Sequence, residues 1–125
     1  MASESETPTE TASTVREGLL HSLNGHYVLT AGQPIAEFLE QYPFVASLLL
    51  EALGPLRKQF GEHNNPVLEL LAEEDVPGFT ELFATVRTTL SPAEASAKLD
   101  AFDHEWWLDA SINSASRLNF SVESL

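Results

Sequence analysis

The chain has no cysteine among its 125 residues, and only six lysines and arginines stand against nineteen acidic residues. Without thiols there is no disulfide, no thiolate nucleophile and no sulfur ligand for zinc or an iron–sulfur cluster. The formal charge of -13 repels nucleic-acid phosphates and anionic lipid, so direct nucleic-acid binding is not expected. The charge favours a cationic partner, such as the basic surface of another protein, or it serves solubility alone.

Long apolar runs are lacking as well. The most apolar run, Phe44–Leu50, stops at Glu51, far short of the roughly 20 residues that span a bilayer. The first fifteen residues have neither a basic start nor an apolar core and include Glu4, Glu6 and Glu10, so they do not predict a signal peptide. We therefore expect a cytoplasmic protein that does not enter membranes.

The first thirty residues have little capacity to fold. Met1–Thr14 consists mainly of Ser, Thr and Glu, so it cannot bury enough apolar surface to offset its chain entropy. The apolar residues that follow are interrupted by Gly18 and by Asn24-Gly25. We predict a disordered or weakly ordered, acidic Ser/Thr-rich tail over residues 1–30 and a single α+β domain over residues 31–125.

A long amphipathic helix is predicted from Pro43 to Phe60. Pro34 and Pro43 each suit a first helical position. After Pro43 the apolar residues recur at steps of three and four, at Val45, Leu48, Leu49, Ala52, Leu53, Leu56 and Phe60. Gly54-Pro55 predicts a kink or a split into two helices, because proline lacks the amide proton, and Gly61 predicts the end.

Three strands are predicted in the rest of the chain. Pro66–Ala72 is a short apolar run, and Phe79–Leu90 alternates between apolar and polar residues, which is typical of a strand with one wet face. The turn expected at Val76–Gly78 makes these two an antiparallel hairpin. Arg117–Glu123 alternates in the same way and predicts the last strand.

Ser91-Pro92-Ala93-Glu94 predicts the start of a second helix, because the serine can accept a free amide and the glutamate can complete a capping box. The buried stripe of this helix would be Ala95, Leu99, Phe102 and Trp106. Trp107 points roughly 100 degrees away from Trp106 on a regular helix. We therefore expect Trp106 in the core and Trp107 at its edge or on the surface.

The predicted order of elements is helix, strand, strand, helix, strand. We expect an α+β fold of two layers, in which a three-stranded antiparallel sheet is covered on one face by two helices. The first strand of the hairpin would lie in the centre, with the last strand beside it after a right-handed crossover. The two outer strands would be unpaired edges, which favours dimerisation by strand pairing.

The densest polar cluster lies in the second helix. Asp100 and His104 are four residues apart, so they are neighbours on one face and could share a proton. The alternative is an exposed helix face with an ion pair. His21, His26 and His63 are far away in the chain, so no metal site is predicted.

Motifs for other chemistry are lacking. The six glycines are scattered and form no phosphate-binding loop, and no serine lies in a Gly-x-Ser-x-Gly elbow. We therefore predict no cofactor.

The C-terminal third contains Leu99-Asp-Ala-Phe-Asp-His-Glu-Trp-Trp-Leu-Asp109, followed by Leu118-Asn-Phe-Ser-Val-Glu123. Together with the preceding helix, hairpin and Ser-Pro-x-Glu start, it resembles a group of small bacterial proteins of unknown function that share a Phe-Asp-x-x-Trp-Trp-Leu helix and a closing strand. The likeness covers Pro34 to Glu123. It implies a bacterial cytoplasmic protein and transfers neither activity nor site residues.

Three functions fit these features. The first is a non-enzymatic interaction or regulatory protein, with an acidic surface and exposed aromatic residues, whose partner-binding residues would be Trp107, Asp103 and Glu105. The second is a small hydrolase or isomerase working through Asp100, Asp103 and His104. The third is a homodimeric structural protein joined through an edge strand. Because catalytic motifs are missing, the interaction protein ranks first and an enzyme is less expected.

Overall fold

The computed structural model describes residue 18 and residues 21–72, 75 and 78–125. Most of the predicted tail therefore lies outside the described residues, as do positions 76 and 77 of the predicted turn. The elements in chain order are β1 (Val28–Leu29), α1 (Gly32–Gln41), α2 (Pro43–Phe60), β2 (Val67–Ala72), β3 (Thr80–Thr88), α3 (Pro92–Phe102), a π-helical turn (Asp103–Trp107), α4 (Leu108–Ala110), a 3-10 turn (Ser111–Ser114) and β4 (Leu118–Ser124). The α+β class is confirmed.

The long helix α2 is continuous from Pro43 to Phe60. Pro55 lies inside it and removes the amide that would bond to the carbonyl of Glu51. Because Glu51 is exposed, water can satisfy that carbonyl. The interruption predicted at Gly54-Pro55 therefore does not divide the helix. Gly61 follows the last turn with φ 94, a conformation that glycine adopts without steric cost.

Among the described residues, the sheet has four strands in the order β1-β2-β3-β4. β1 is parallel to β2, β2 is antiparallel to β3, and β3 is parallel to β4. The prediction of a three-stranded antiparallel sheet with the first hairpin strand in the centre is wrong. β4 pairs in parallel with β3, and Val28–Leu29 adds a short fourth strand. The physical reason is that Val28–Leu29 pairs with the side of β2 that the last strand was expected to use, and the crossover returns the chain on the free side of β3, parallel to it.

One face of the sheet packs on the helices and the other does not. The inward side chains belong to one core cluster with the helices: Leu68, Leu82, Ala84, Val86, Leu118 and Phe120. The alternate side chains, which include Glu69, Arg87, Asn119 and Glu123, are exposed. This alternation follows directly from the period of two in a strand. It confirms the wet face that the sequence predicts for β3 and β4.

The ordered fold starts before residue 31, the predicted domain boundary. Leu23 and Tyr27 are only 1% and 2% exposed, and the Tyr27 hydroxyl donates a 2.6 Å hydrogen bond to the Leu49 carbonyl of α2. Burial raises the pKa of Tyr27 well above its ordinary value, so the hydroxyl stays protonated and keeps this bond. The aromatic ring and its hydrogen bond thus attach the segment before β1 to the long helix.

Arg117, the residue before β4, connects the α1–α2 junction to the start of β3. Its guanidinium carbon lies 4.4 Å from the ring centroid of Tyr42 and 4.0 Å from that of Phe79. Its Nη1 also donates a 3.0 Å hydrogen bond to the carbonyl of Thr80. This one cation therefore holds the α1–α2 junction against the first residues of β3.

The helices in the described ranges do not combine the length and apolar character that a membrane crossing requires.

Candidate functional site

Helix α3 begins at the predicted capping box. The amide of Glu94 donates to Ser91 Oγ at 3.2 Å, and Ser91 Oγ donates to Glu94 Oε1 at 3.0 Å. Ser91 is the N-cap and Pro92 is the first helical residue. The local sequence therefore sets the start of the helix that presents the candidate residues.

The helix does not continue regularly after Phe102. The amide of Leu108 donates to the carbonyl of Asp103, which is a bond across five residues and defines a π-helical turn. Such a turn contains one residue more than a regular helical turn. Every side chain beyond it is therefore rotated relative to the pattern that a regular helix predicts.

This rotation exchanges the two tryptophans. Trp107 is 7% exposed and belongs to the core, whereas Trp106 is half-buried and packs against that core. The prediction that Trp107 lies at the edge or on the surface is wrong, because the extra residue places Trp107, five positions after Phe102, on the core side. Trp107 is therefore not an exposed aromatic residue of the kind that the interaction hypothesis expects.

Four aromatic rings form a cluster between this turn and β4. Phe120 lies 4.7 Å from Trp107 and 5.0 Å from Phe102, both in edge-on geometry, and Trp106 lies 5.8 Å from Trp107. Edge-on contacts of this kind contribute beyond their buried area. The cluster fixes the position of the π-helical turn over the end of the sheet.

The three predicted catalytic residues lie in α3 and in the π-helical turn that follows it. Asp100 and His104 are exposed, and His104 Nδ1 donates to the backbone carbonyl of Asp100 at 2.8 Å rather than to its carboxylate. Burial raises the pKa of Asp103, the Asp100 carboxylate adds to that rise, and His104 opposes it. The structure thus brings the three residues together, and His104 bonds to the backbone of Asp100 instead of to its carboxylate.

Glu105, a predicted partner-binding residue, bonds within the chain. Its Oε1 accepts a hydrogen bond from Lys58 Nζ of α2, and the two side chains form an ion pair. The hydrogen bond from Lys58 is the main reason that the pKa of Glu105 lies below its ordinary value. Because both side chains are exposed, this pair contributes little to stability, but it connects the π-helical turn to the long helix.

An apolar pair that the sequence did not reveal follows the π-helical turn. Leu108 is 56% exposed and Ile112 is 81% exposed. They lie four residues apart, Leu108 at the start of α4 and Ile112 in the 3-10 turn that follows it. The only signal in the sequence is two apolar residues among Asp109, Ser111 and Asn113. On a regular helix with Trp106 in the core, both residues would also point away from the sheet, so the pattern was compatible with an exposed pair.

The backbone after this pair adopts the left-handed region. Ala115 has φ 52 and Ser116 has φ 60, and neither is a glycine. Left-handed backbone costs an L-residue about 1–2 kcal/mol, and the surrounding packing must compensate for it. Residues 103–116 therefore combine an irregular helical turn, exposed apolar side chains and backbone strain.

Metal-binding groups of three or more His, Asp or Glu side chains are not found in the part of the chain that the structure describes.

No protein-family model, curated protein or solved structure matches the chain.

Proposed function

We propose that the chain is a non-enzymatic protein-binding domain, and that its contact surface is the acidic segment, defined as Asp103 to Ile112. The exposed pair supports this proposal more than any other observation, because Ile112 at 81% and Leu108 at 56% offer two apolar side chains of one short segment to a partner. Single exposed apolar residues are ordinary on protein surfaces. Two strongly exposed apolar side chains within five residues offer a partner more apolar surface than one, and exposed apolar surface is a feature of interaction sites.

The charges around this pair indicate the chemistry of the partner. The carboxylates of Asp103, Glu105 and Asp109 lie in the same ten residues, and the lysine that pairs with Glu105 belongs to α2. An apolar contact with a negative rim is complementary to an apolar socket with lysines or arginines around it. The partner is therefore a protein with a basic surface, as the overall charge also suggests.

The segment is held in place before it binds. Trp107 is buried against Phe120, and the Lys58–Glu105 pair connects the turn to α2. A surface that is already ordered loses less conformational entropy on association. The proposal includes a cytoplasmic location, which the absence of cysteine supports.

Affinity capture with the full chain tests the proposal. The test variant combines Leu108→Ser with Ile112→Ser, and the matched control is Leu50→Ser, which changes a 42% exposed leucine of α2. We expect a specific protein from a lysate of the source organism to bind the parent chain and the control. Binding by the double variant should be at least about tenfold weaker, the usual effect of losing a central contact. Binding should also weaken as salt rises.

Two results contradict the proposal. One is equal capture by the double variant and the control, with circular dichroism showing that both are folded. The other is capture of no specific protein by the parent chain.

A further inference from the structure

The strand β4 has an unpaired side. The amide of Leu82 donates to the Arg117 carbonyl, and the amide of Leu125 donates to the Thr88 carbonyl. Because these bonds alternate along a parallel pair, the odd-numbered residues of β4 bond to β3 and the even-numbered ones direct their amides and carbonyls away. β4 is the last strand in the described sheet, so those groups have no strand beside them.

We propose that β4 pairs antiparallel with β4 of a second copy of this chain, with the two-fold axis at Ser121. This register uses all seven residues of Leu118–Ser124. It places Phe120 opposite the second copy's Val122, and each of these two residues directs its amide and carbonyl outward. Two reciprocal hydrogen bonds form at each such pair.

The side chains on both faces agree with this register. On the helix-covered face the pairing joins Phe120 to Val122, which are both packed against the core. On the open face it joins Asn119 to Glu123, an amide to a carboxylate, and Ser121 to itself. The two copies of Glu123 are then about 14 Å apart, from the rise along a strand, and each lies 3.8 Å from its own Arg87. The strand is therefore complementary to itself in pattern and in local charge.

Asn119 controls access to this edge. Its Oδ1 accepts a 2.9 Å hydrogen bond from the amide of Phe120, one of the outward groups. In a single chain this bond satisfies the amide. When two copies pair, the amide of Phe120 donates to the second copy's Val122 carbonyl instead. The Asn119 carboxamide then turns to the second copy's Glu123. Unpaired edge amides are what allows uncontrolled strand addition, so a side chain that occupies one limits it.

The absence of cysteine makes single-cysteine cross-linking a direct test. In the proposed register two copies of Ser121→Cys face each other with Cα atoms about 4.5 Å apart, within disulfide range. We expect Ser121→Cys to form a covalent dimer under mild oxidation. Asn119→Cys is the matched control, because its two copies are about 14 Å apart and disulfides do not form above about 7 Å. The combination of Asn119→Cys with Glu123→Cys should cross-link again.

Sedimentation of the unmodified chain gives a second readout. We expect the 13.7 kDa chain to form a dimer at micromolar concentrations. The dimer should become tighter as salt rises, because salt screens the repulsion between the two negatively charged copies. Val122→Pro should abolish the dimer with little loss of the fold, because its amide points away from β3. Cross-linking of Asn119→Cys as fast as Ser121→Cys overturns the proposal. A monomer at 100 micromolar and 0.5 M salt also overturns it, as does a monomer whose edge binds only a foreign peptide.

Discussion

Two residues show how strongly the scarcity of positive charge shapes this molecule. Arg117 is one of six cations in the chain, and it lies between two aromatic rings instead of on the surface. Asp103 shows the excess of negative charge, because its carboxylate lies close to that of Asp100. The charge of Arg117 stabilises the fold, whereas ionisation of Asp103 makes the fold less stable.

Arg117→Ala should lower the free energy of unfolding by about 2 kcal/mol, because two cation–π contacts and one hydrogen bond are lost. Arg87→Ala removes the same charge from an exposed pair with Glu123 and should cost under about 1 kcal/mol. Urea unfolding followed by circular dichroism measures both. Equal losses for the two variants would show that the ring contacts of Arg117 add nothing.

Asp103→Asn should stabilise the protein at pH 7 by a small amount, within about 0.5 kcal/mol. The folded pKa of Asp103 is raised above the ordinary value of 3.8, so folding favours the protonated form. Stability from this group is present at low pH and is lost as pH rises through the folded pKa. The gain from the substitution should therefore disappear below pH 3. Thermal unfolding from pH 2 to 7 measures it, and a gain that does not change with pH would contradict the assignment.

At the scale of elements, the π-helical turn decides which tryptophan supports the core. Trp107→Ala should cost about 3–5 kcal/mol, the usual range for a large buried aromatic residue. Trp106→Ala should cost roughly half as much, because Trp106 is only half-buried. Urea titration gives both values. The reverse order would mean that α3 continues as a regular helix through Trp107.

Element boundaries could be predicted where a local chemical signal marks them. The capping serine predicted the start of α3, and Gly61 predicted the end of α2. The π-helical turn has no such signal, because its bond from Leu108 to Asp103 depends on how the aromatic cluster packs against Phe120. The sequence pointed to the region around Asp103 and Glu105 but did not single out Leu108 and Ile112, because isolated exposed apolar residues are ordinary on a surface.

At the scale of the whole molecule, local sequence patterns do not indicate the order of the strands in the sheet. The alternation in β3 and β4 predicted both strands and their wet face, but it is the same for either neighbour and either direction. The neighbour of β4 depends on β1, which occupies the side of β2 where the last strand was expected. β1 escaped prediction because two residues, Val28 and Leu29, are too few to show a period.

The net charge makes a prediction for the whole chain. A charge of -13 on 125 residues repels itself more strongly when the chain is compact. The free energy of unfolding in urea should therefore rise as sodium chloride increases from 10 to 150 mM, because salt screens that repulsion. The exposed Lys58–Glu105 pair would weaken under the same change, but a single exposed pair contributes too little to reverse the trend. A decrease in stability with salt would show that attractive pairs dominate.

The adjacent indoles have an optical consequence. Trp106 and Trp107 are held with ring centroids 5.8 Å apart and planes at 32°, next to Phe120. Two chromophores in such a rigid, asymmetric arrangement couple their electronic transitions and give a strong near-ultraviolet dichroism band. Loosening of the aromatic cluster should extinguish that band while the far-ultraviolet helix signal persists. The protein therefore contains an intrinsic spectroscopic reporter of whether its last strand is docked.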